Sequence, residues 1–144
     1  MPERCVDASL GIKWVVMGEP WRKKARKFLC DSIAVDIVLI APPLFEYETE
    51  SALQGRLHTG AMTIRETDTA LAQLSAIGVQ ILTHPDMIKR AREIARQFDQ
   101  PNIYDSLYAA LAELRNCEFW TADKRFYETV KAKLTFVNYL TDYQ

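Results

Sequence analysis

The sequence has few of the residues that build disulfide scaffolds or zinc sites. Its three cysteines are odd in number and none belongs to a CxxC pair, which argues against a disulfide framework and favours free thiols in a reducing compartment. The only two histidines, His58 and His84, have no cysteine or histidine near them at the spacing of zinc ligands. Zinc chemistry is therefore not expected, and the cytoplasm is the expected location.

Long apolar runs and an excess of positive charge are also missing. The longest apolar run, from Ile37 to Phe45, is too short to span a bilayer and contains two prolines, and the N-terminus lacks the layout of a signal peptide. Eighteen basic and nineteen acidic residues leave a net charge of −1. Because no overall positive field draws this protein onto nucleic acid, a polyanion would have to be held by local basic patches or through a metal ion.

The chain does have a regular succession of strand and helix patterns over its 144 residues, a length typical of one domain covering residues 1–144. Short uncharged runs predict strands, and apolar residues at three- and four-residue spacing predict helices. The predicted strands are 4–7, 37–40, 79–82, 118–121 and 134–137. The predicted helices are 8–16, 21–30, 44–57, 64–77, 84–98, 104–114 and 124–132.

Strands separated by helices imply right-handed crossovers. The sequence therefore predicts an α/β fold, with a mainly parallel central sheet of four to five strands and helices on both faces.

Two aspartates follow predicted strands directly. Asp7 comes after the first strand and Asp123 after the fourth, at the carboxyl edge where open α/β sheets bind their ligands. Each could equally serve as a helix N-cap, accepting hydrogen bonds from backbone N–H groups. Either acid alone therefore decides nothing about function.

Two further acids fall on predicted helices. Glu48 has apolar residues four and three positions before it and four after it, so it is expected to point inward, unlike Glu46 and Glu50. Asp105 shares a helix face with small and aromatic residues. The structural alternatives are a buried ion pair with an arginine for Glu48 and a favourable first-turn charge for Asp105.

A shared site for all four acids explains their placement better than four unrelated caps. Like charges about 4 Å apart repel by roughly 4 kcal/mol at an effective dielectric of about 20, so such a cluster needs a cation. Oxygen ligands favour Mg²⁺ or Mn²⁺, the ions of phosphate chemistry.

Four segments carry a family resemblance: CVDASLGIKW (5–14), APPLFEYE (41–48), IYDSLYAALAE (103–113) and TADKRF (121–126). Together they resemble the PIN-domain ribonucleases, in particular the VapC-like toxins of type II toxin–antitoxin systems. The resemblance implies a PIN fold, cleavage of RNA with Mg²⁺ or Mn²⁺, a cognate antitoxin protein and a homodimer.

The resemblance also implies roles for individual residues. Asp7, Glu48, Asp105 and Asp123 match the four acids that hold the metal and carry catalysis. Ser9 and Thr121 match positions at which such proteins often keep a hydroxyl or amide near those acids.

The expected reaction is hydrolysis of an RNA phosphodiester by a metal-activated water, without a covalent protein intermediate. Asp105 or Asp123 would orient the water, while Asp7 and Glu48 would anchor the metal. The sequence does not assign these roles separately. Two competing functions stay open: a catalytically silent PIN-like module that binds protein or RNA, and a metal-dependent phosphatase or DNA nuclease.

Basic and apolar residues suggest further contacts. Lys124 and Arg125, next to Asp123, are expected to steer backbone phosphates, although a solvated helix start explains them equally well. Arg22 and Lys23 belong to a basic helix that either flanks the RNA or simply faces water.

Three apolar residues, Ile12, Trp14 and Trp21, look exposed on the predicted helices and support the expected homodimer. The tryptophans are interpreted as core or interface residues rather than as platforms for base stacking.

Overall fold

The protein, described here by a computed structural model of residues 1–144, is built on a five-stranded sheet in which every neighbouring pair is parallel. The strands are β1 (Glu3–Val6), β2 (Val38–Ala41), β3 (Gln80–Ile81), β4 (Glu118–Thr121) and β5 (Val137–Tyr139). They lie in the order β3-β2-β1-β4-β5. The predicted α/β fold with a parallel central sheet is confirmed.

Seven α-helices flank this sheet, and a short 3₁₀ helix, Leu140–Asp142, follows β5. The α-helices are α1 (Ala8–Val15), α2 (Arg22–Ala34), α3 (Leu44–His58), α4 (Ile64–Ile77), α5 (Met87–Gln97), α6 (Tyr104–Leu114) and α7 (Lys124–Val130). None of them combines the length and the apolar character needed to cross a bilayer.

The order of the strands creates one reversal point in the sheet. From β1 the chain proceeds outward through β2 to β3, then crosses to β4 on the other side of β1 and continues to β5 at that edge of the sheet. Right-handed crossovers that run in opposite directions across a sheet lie on opposite faces, so a crevice opens between the carboxyl ends of β1 and β4. Asp7 and Asp123 stand directly after these two strands.

The last strand, predicted at 134–137, begins three residues later in the structure, at Val137. Leu134 is buried, and its backbone N–H donates to the carbonyl of Val130, so it completes the turn after α7. The strand begins only at Val137, which pairs with Phe119 of β4. An apolar run therefore marked the core correctly but not the start of the extended segment.

The expectation that Ile12 and Trp14 are exposed is also wrong, because both are almost fully buried, at 4% and 2% exposure. The indole N–H of Trp14 donates to the carbonyl of Ala25 at 3.0 Å and ties α1 to α2. Trp21 does lie on the surface, at 55% exposure, with a left-handed backbone just before α2. Of the three residues, only Trp21 is therefore available to a partner.

Close packing of α1 on α3 depends on Gly11. A Cβ atom added at Gly11 would lie 2.9 Å from the Cζ atom of Phe45, a buried ring on α3. Phe45 is three residues before Glu48, so the same helix–helix contact sets how far Glu48 stands from α1.

We expect Gly11→Ala to destabilise the protein. Overpacking costs about 1–3 kcal/mol, which exceeds the roughly 0.5–1 kcal/mol that alanine gains over glycine inside a helix. Urea denaturation measures the change in the free energy of unfolding. The matched control is Gly55→Ala on α3, where no atom lies within 4 Å of the new methyl group and a small stabilisation is expected. Equal stabilisation by both variants would contradict this account of the α1–α3 contact.

Candidate active site

Asp7 lies at the junction of β1 and α1 and is almost fully buried. Its Oδ1 atom accepts hydrogen bonds from the backbone N–H groups of Ser9 at 3.1 Å and Leu10 at 3.4 Å, so the side chain caps α1. The carboxylate is tolerated in this buried position because the hydrogen bonds satisfy its oxygen. They also satisfy N–H groups at the start of α1 that have no partner within the helix.

Two hydroxyl groups join Asp7 to the turn between β4 and α7. The Ser9 hydroxyl donates to Asp7 Oδ1, and the Thr121 hydroxyl donates to Asp7 Oδ2 at 2.5 Å. Each hydroxyl oxygen also accepts a backbone N–H of the turn, Ser9 from Ala122 at 3.1 Å and Thr121 from Asp123 at 3.0 Å. The two hydroxyls therefore fix the Asp123 segment against Asp7.

Asp123 caps α7 in the same manner as Asp7 caps α1. Its Oδ1 atom accepts the backbone N–H of Phe126 at 3.0 Å, while its Oδ2 atom accepts no hydrogen bond from the protein. Each of these aspartates is thus a helix cap and also contributes to a group of acids at the crevice.

Glu48 is half-buried, whereas Glu46 and Glu50 on the same helix are exposed, as the helical-face argument predicted. Its Oε1 atom accepts a hydrogen bond of 2.6 Å from the Tyr108 hydroxyl on α6. Burial, together with this bond, raises the pKa of Tyr108, so the phenol stays a donor. The contact holds Glu48 in place and leaves Oε2 without a protein partner.

Asp105 stands three residues before Tyr108 on α6, is half-buried and accepts no hydrogen bond. Burial, followed by the negative charges of Asp123, Asp7 and Glu48, raises its pKa to about 7. The four acids are therefore close enough to act on one another electrostatically.

Asp7 is also repelled by a neighbouring acid, but its hydrogen bonds offset part of the rise in its pKa. Burial raises its pKa to about 6, the hydrogen bonds from Ser9 and Thr121 oppose the shift, and the charge of Glu48 adds to it. None of the seven ion pairs in the structure includes Asp7, Glu48, Asp105 or Asp123. The alternative that Glu48 is paired with an arginine is thereby ruled out for this structure.

The donors fit a divalent cation in type and charge, although they do not form a closed cage. No three histidine, cysteine, aspartate or glutamate side chains lie close enough together to surround an ion. Oxygens without protein partners belong to Glu48, Asp105 and Asp123. Such an open set of carboxylates matches Mg²⁺, which keeps several waters and typically binds one or two carboxylates plus substrate phosphates.

A cavity of about 450 Å³ opens beside these acids between α1 and α3. Glu48, Asp123 and Ser9 line it, together with two cations, Lys13 and Arg56. Its polar lining therefore contains charges of both signs.

The basic residues suggested for RNA contact differ in their environments. Lys124 and Arg125 are exposed at the start of α7 and form no ion pair. Lys23 is also exposed, whereas Arg22 donates to the carbonyls of Lys13 and Trp14 and so caps the end of α1. Arg22 is thus already engaged in holding α1 against α2.

The profile of the PIN domain family matches residues 4–132, a span that contains all four acids and both hydroxyl residues. The chain belongs to the PIN domain family. PIN domains are generally metal-dependent nucleases. No curated protein matches the sequence.

A solved structure has the same fold. The crystal structure of PAE2754 from Pyrobaculum aerophilum superposes with a TM-score of 0.65 at 18% sequence identity, over 93% of this chain and 95% of that one. At this identity the likeness concerns the fold alone.

Sequence reasoning did not identify Tyr108 and Lys13 as site residues. The sequence pattern marks Tyr108 only as an aromatic neighbour of Asp105 on its helix, and Lys13 carries no separate signal. Their helical spacing from Asp105 and Ser9, three and four residues, was the available signal. The contact between Tyr108 and Glu48 joins residues 60 positions apart, which a single sequence does not reveal.

We expect Asp105→Asn to stabilise the metal-free PIN domain at neutral and alkaline pH. The pKa of Asp105 is raised from 3.8 to about 7, so the folded wild type loses stability as the pH rises through that window and carries the full penalty above it. Asparagine has no charge to bury, and its advantage should therefore grow between about pH 4 and pH 7 and then level off.

Thermal unfolding in EDTA across this pH range measures the effect. Asp68→Asn on α4, where the carboxylate is exposed and unpaired, is the control and should change the melting temperature little at any pH. A gain for Asp105→Asn that is the same at pH 4 and pH 8 would contradict the electrostatic explanation.

Proposed function

We propose that this PIN domain is a Mg²⁺- or Mn²⁺-dependent ribonuclease that cleaves RNA phosphodiester bonds, and that it is the toxin of a toxin–antitoxin pair with a cognate antitoxin protein. The observation that carries the proposal is the group of four carboxylates without a cationic partner at the carboxyl ends of β1 and β4. Uncompensated charge of this kind lowers stability, so a site that keeps it is suited to a bound cation.

The carboxylates of the proposed site are Asp7, Glu48, Asp105 and Asp123, an open set that would hold the ion together with waters and the substrate phosphate. Ser9 and Thr121 orient Asp7, and Tyr108 orients Glu48, so two of the four are fixed by neighbouring hydroxyls. When bound there, a divalent ion supplies activation of water and neutralisation of phosphate charge.

Asp105 is the acid best suited to accept a proton from the attacking water. It accepts no hydrogen bond from the protein, so both of its carboxylate oxygens stay free to orient the water and take its proton. Asp7, by contrast, accepts four hydrogen bonds and is better suited to a fixed anchoring role.

RNA as the substrate and an antitoxin as the partner rest on the resemblance of the four sequence segments to VapC-like toxins. The exposure of Lys124 and Arg125 beside Asp123 supports the proposal that they contact a phosphate backbone. A homodimer is part of the same proposal, and Trp21 is an exposed apolar residue suited to a protein contact.

Asp7→Asn and Asp105→Asn should each reduce Mg²⁺-dependent cleavage of an RNA panel by more than about a hundredfold. Even residues that only support a metal ligand cost roughly 10–100-fold when they are replaced. Glu46→Gln is the matched control, since this exposed glutamate lies two residues from Glu48 and should leave the rate unchanged. Gel-resolved cleavage with Mg²⁺, Mn²⁺ or EDTA measures all four proteins.

Other outcomes would identify the competing functions. RNA binding without cleavage under every metal condition indicates a silent binding module. Faster cleavage of DNA or of small phosphoesters than of RNA indicates a different phosphoesterase. Equal RNA degradation by the wild type and both aspartate variants would show that the activity comes from a contaminant and would remove the basis of the proposal.

A further inference from the structure

The cavity between α1 and α3 contains a lysine that the proposed mechanism does not use. Lys13 lies in the last turn of α1 and is only 9% exposed, yet it lines the same cavity as Glu48 and Asp123. Its Nζ atom donates one hydrogen bond of 2.7 Å to the backbone carbonyl of Pro20.

This hydrogen bond leaves two donors of the ammonium group without a partner in the protein. An ammonium has three N–H donors, and the carbonyl of Pro20 takes one of them. None of the seven ion pairs in the structure includes Lys13. Because removing a cation from water is unfavourable, a buried lysine that lacks an anionic partner within the protein is suited to an anion from outside it.

Arg56, the other cation of the cavity, is already neutralised. Its Nη2 atom forms an ion pair with Glu19 at 3.3 Å, and its Nη1 atom donates to the carbonyl of Ala52 at 3.1 Å. Lys13 is therefore the cation of this cavity that has no carboxylate partner.

Helix geometry places Lys13 a short distance beyond the acids. It follows Ser9 by four residues on the same face of α1, which is about 6 Å along the helix axis. On α3, Glu48, Ala52 and Arg56 follow one another at four-residue spacing and line the same cavity. Each wall of the cavity therefore has a residue of the acidic site at one end and a cation at the other. On α1 these are Ser9 and Lys13. On α3 they are Glu48 and Arg56, with the small side chain of Ala52 between them.

We propose that Lys13 binds a backbone phosphate of the RNA strand next to the phosphate that is cleaved, so that the strand runs from the acids along the cavity between α1 and α3. This inference rests on the proposed ribonuclease function and adds the path of the substrate. The neighbouring phosphate keeps its charge throughout the reaction, so Lys13 contributes equally to binding the substrate and the transition state.

Binding is tested without cleavage in the Asp105→Asn background. Lys13→Gln removes the charge but keeps a hydrogen-bond donor, and it should weaken binding of a fluorescent single-stranded RNA roughly tenfold. The slope of log affinity against log salt should fall by about 0.7, the value for one lost contact to a single strand. Lys13→Arg should preserve the slope, and Lys89→Gln, at an exposed lysine of α5, is the matched control.

Kinetics provide a second readout in the otherwise wild-type protein with Mg²⁺. Lys13→Gln should raise KM roughly tenfold and leave kcat nearly unchanged, because uniform binding energy is lost. A residue that only tied α1 to Pro20 would lower the melting temperature without changing the salt slope. That result, or an unchanged KM, would overturn the inference while leaving the ribonuclease function intact.

A further measurement does not depend on any change at Lys13. In Asp105→Asn protein with ¹³C-labelled lysine, titration with the same RNA should shift the ε-methylene signal of Lys13 and not that of Lys89. An unmoved Lys13 signal would overturn the inference even if Lys13→Gln fails to fold. A shifted signal in a protein whose wild type cleaves no RNA would support the phosphate contact and reject the nuclease function.

Discussion

The site depends on one buried carboxylate, Asp7, and on the hydrogen bonds that it accepts. Two come from backbone N–H groups of α1 and two from the hydroxyls of Ser9 and Thr121. A buried carboxylate is tolerated only when it is well hydrogen-bonded, and here the bonds that satisfy it also hold the β4–α7 turn beside the start of α1. The same interactions therefore fold the crevice between β1 and β4 and place Asp123 next to Asp7.

Around this fixed group, the protein retains charge that it does not neutralise. Asp105 has no hydrogen bond and Glu48 has only the Tyr108 hydroxyl, and none of the seven ion pairs of the chain includes either acid. Such an arrangement sacrifices stability at a place where a ligand can restore it. In the proposals above, the carboxylates bind a metal ion and Lys13 binds a backbone phosphate of the RNA. Under this proposal, a chain with a net charge of −1 binds a polyanion through local features alone.

Much of the fold could be predicted because local signals and tertiary packing agree. The bounds of α4 were predicted to the residue, where Thr63 and Glu66 form a capping box and Gly78 ends the helix in a left-handed conformation. Prediction failed where local patterns were ambiguous. Leu134 belongs to the turn after α7 rather than to β5. Helix α1 is buried on nearly every side, so a search for one apolar face could not predict that Ile12 and Trp14 are buried.

By itself the sequence determined which acids follow strands or face inward, because alternation and helical spacing are properties of neighbouring residues. The tertiary structure decided which carboxylate oxygens stay free and which cation of the cavity lacks a carboxylate partner. These depend on the pairing of β1 with β4 and on the close approach of α1 to α3 at Gly11, contacts between segments that are distant in the chain. A carboxylate at a strand end is the same sequence signal whether it only caps a helix or also serves a ligand, and only the surrounding partners tell the two roles apart.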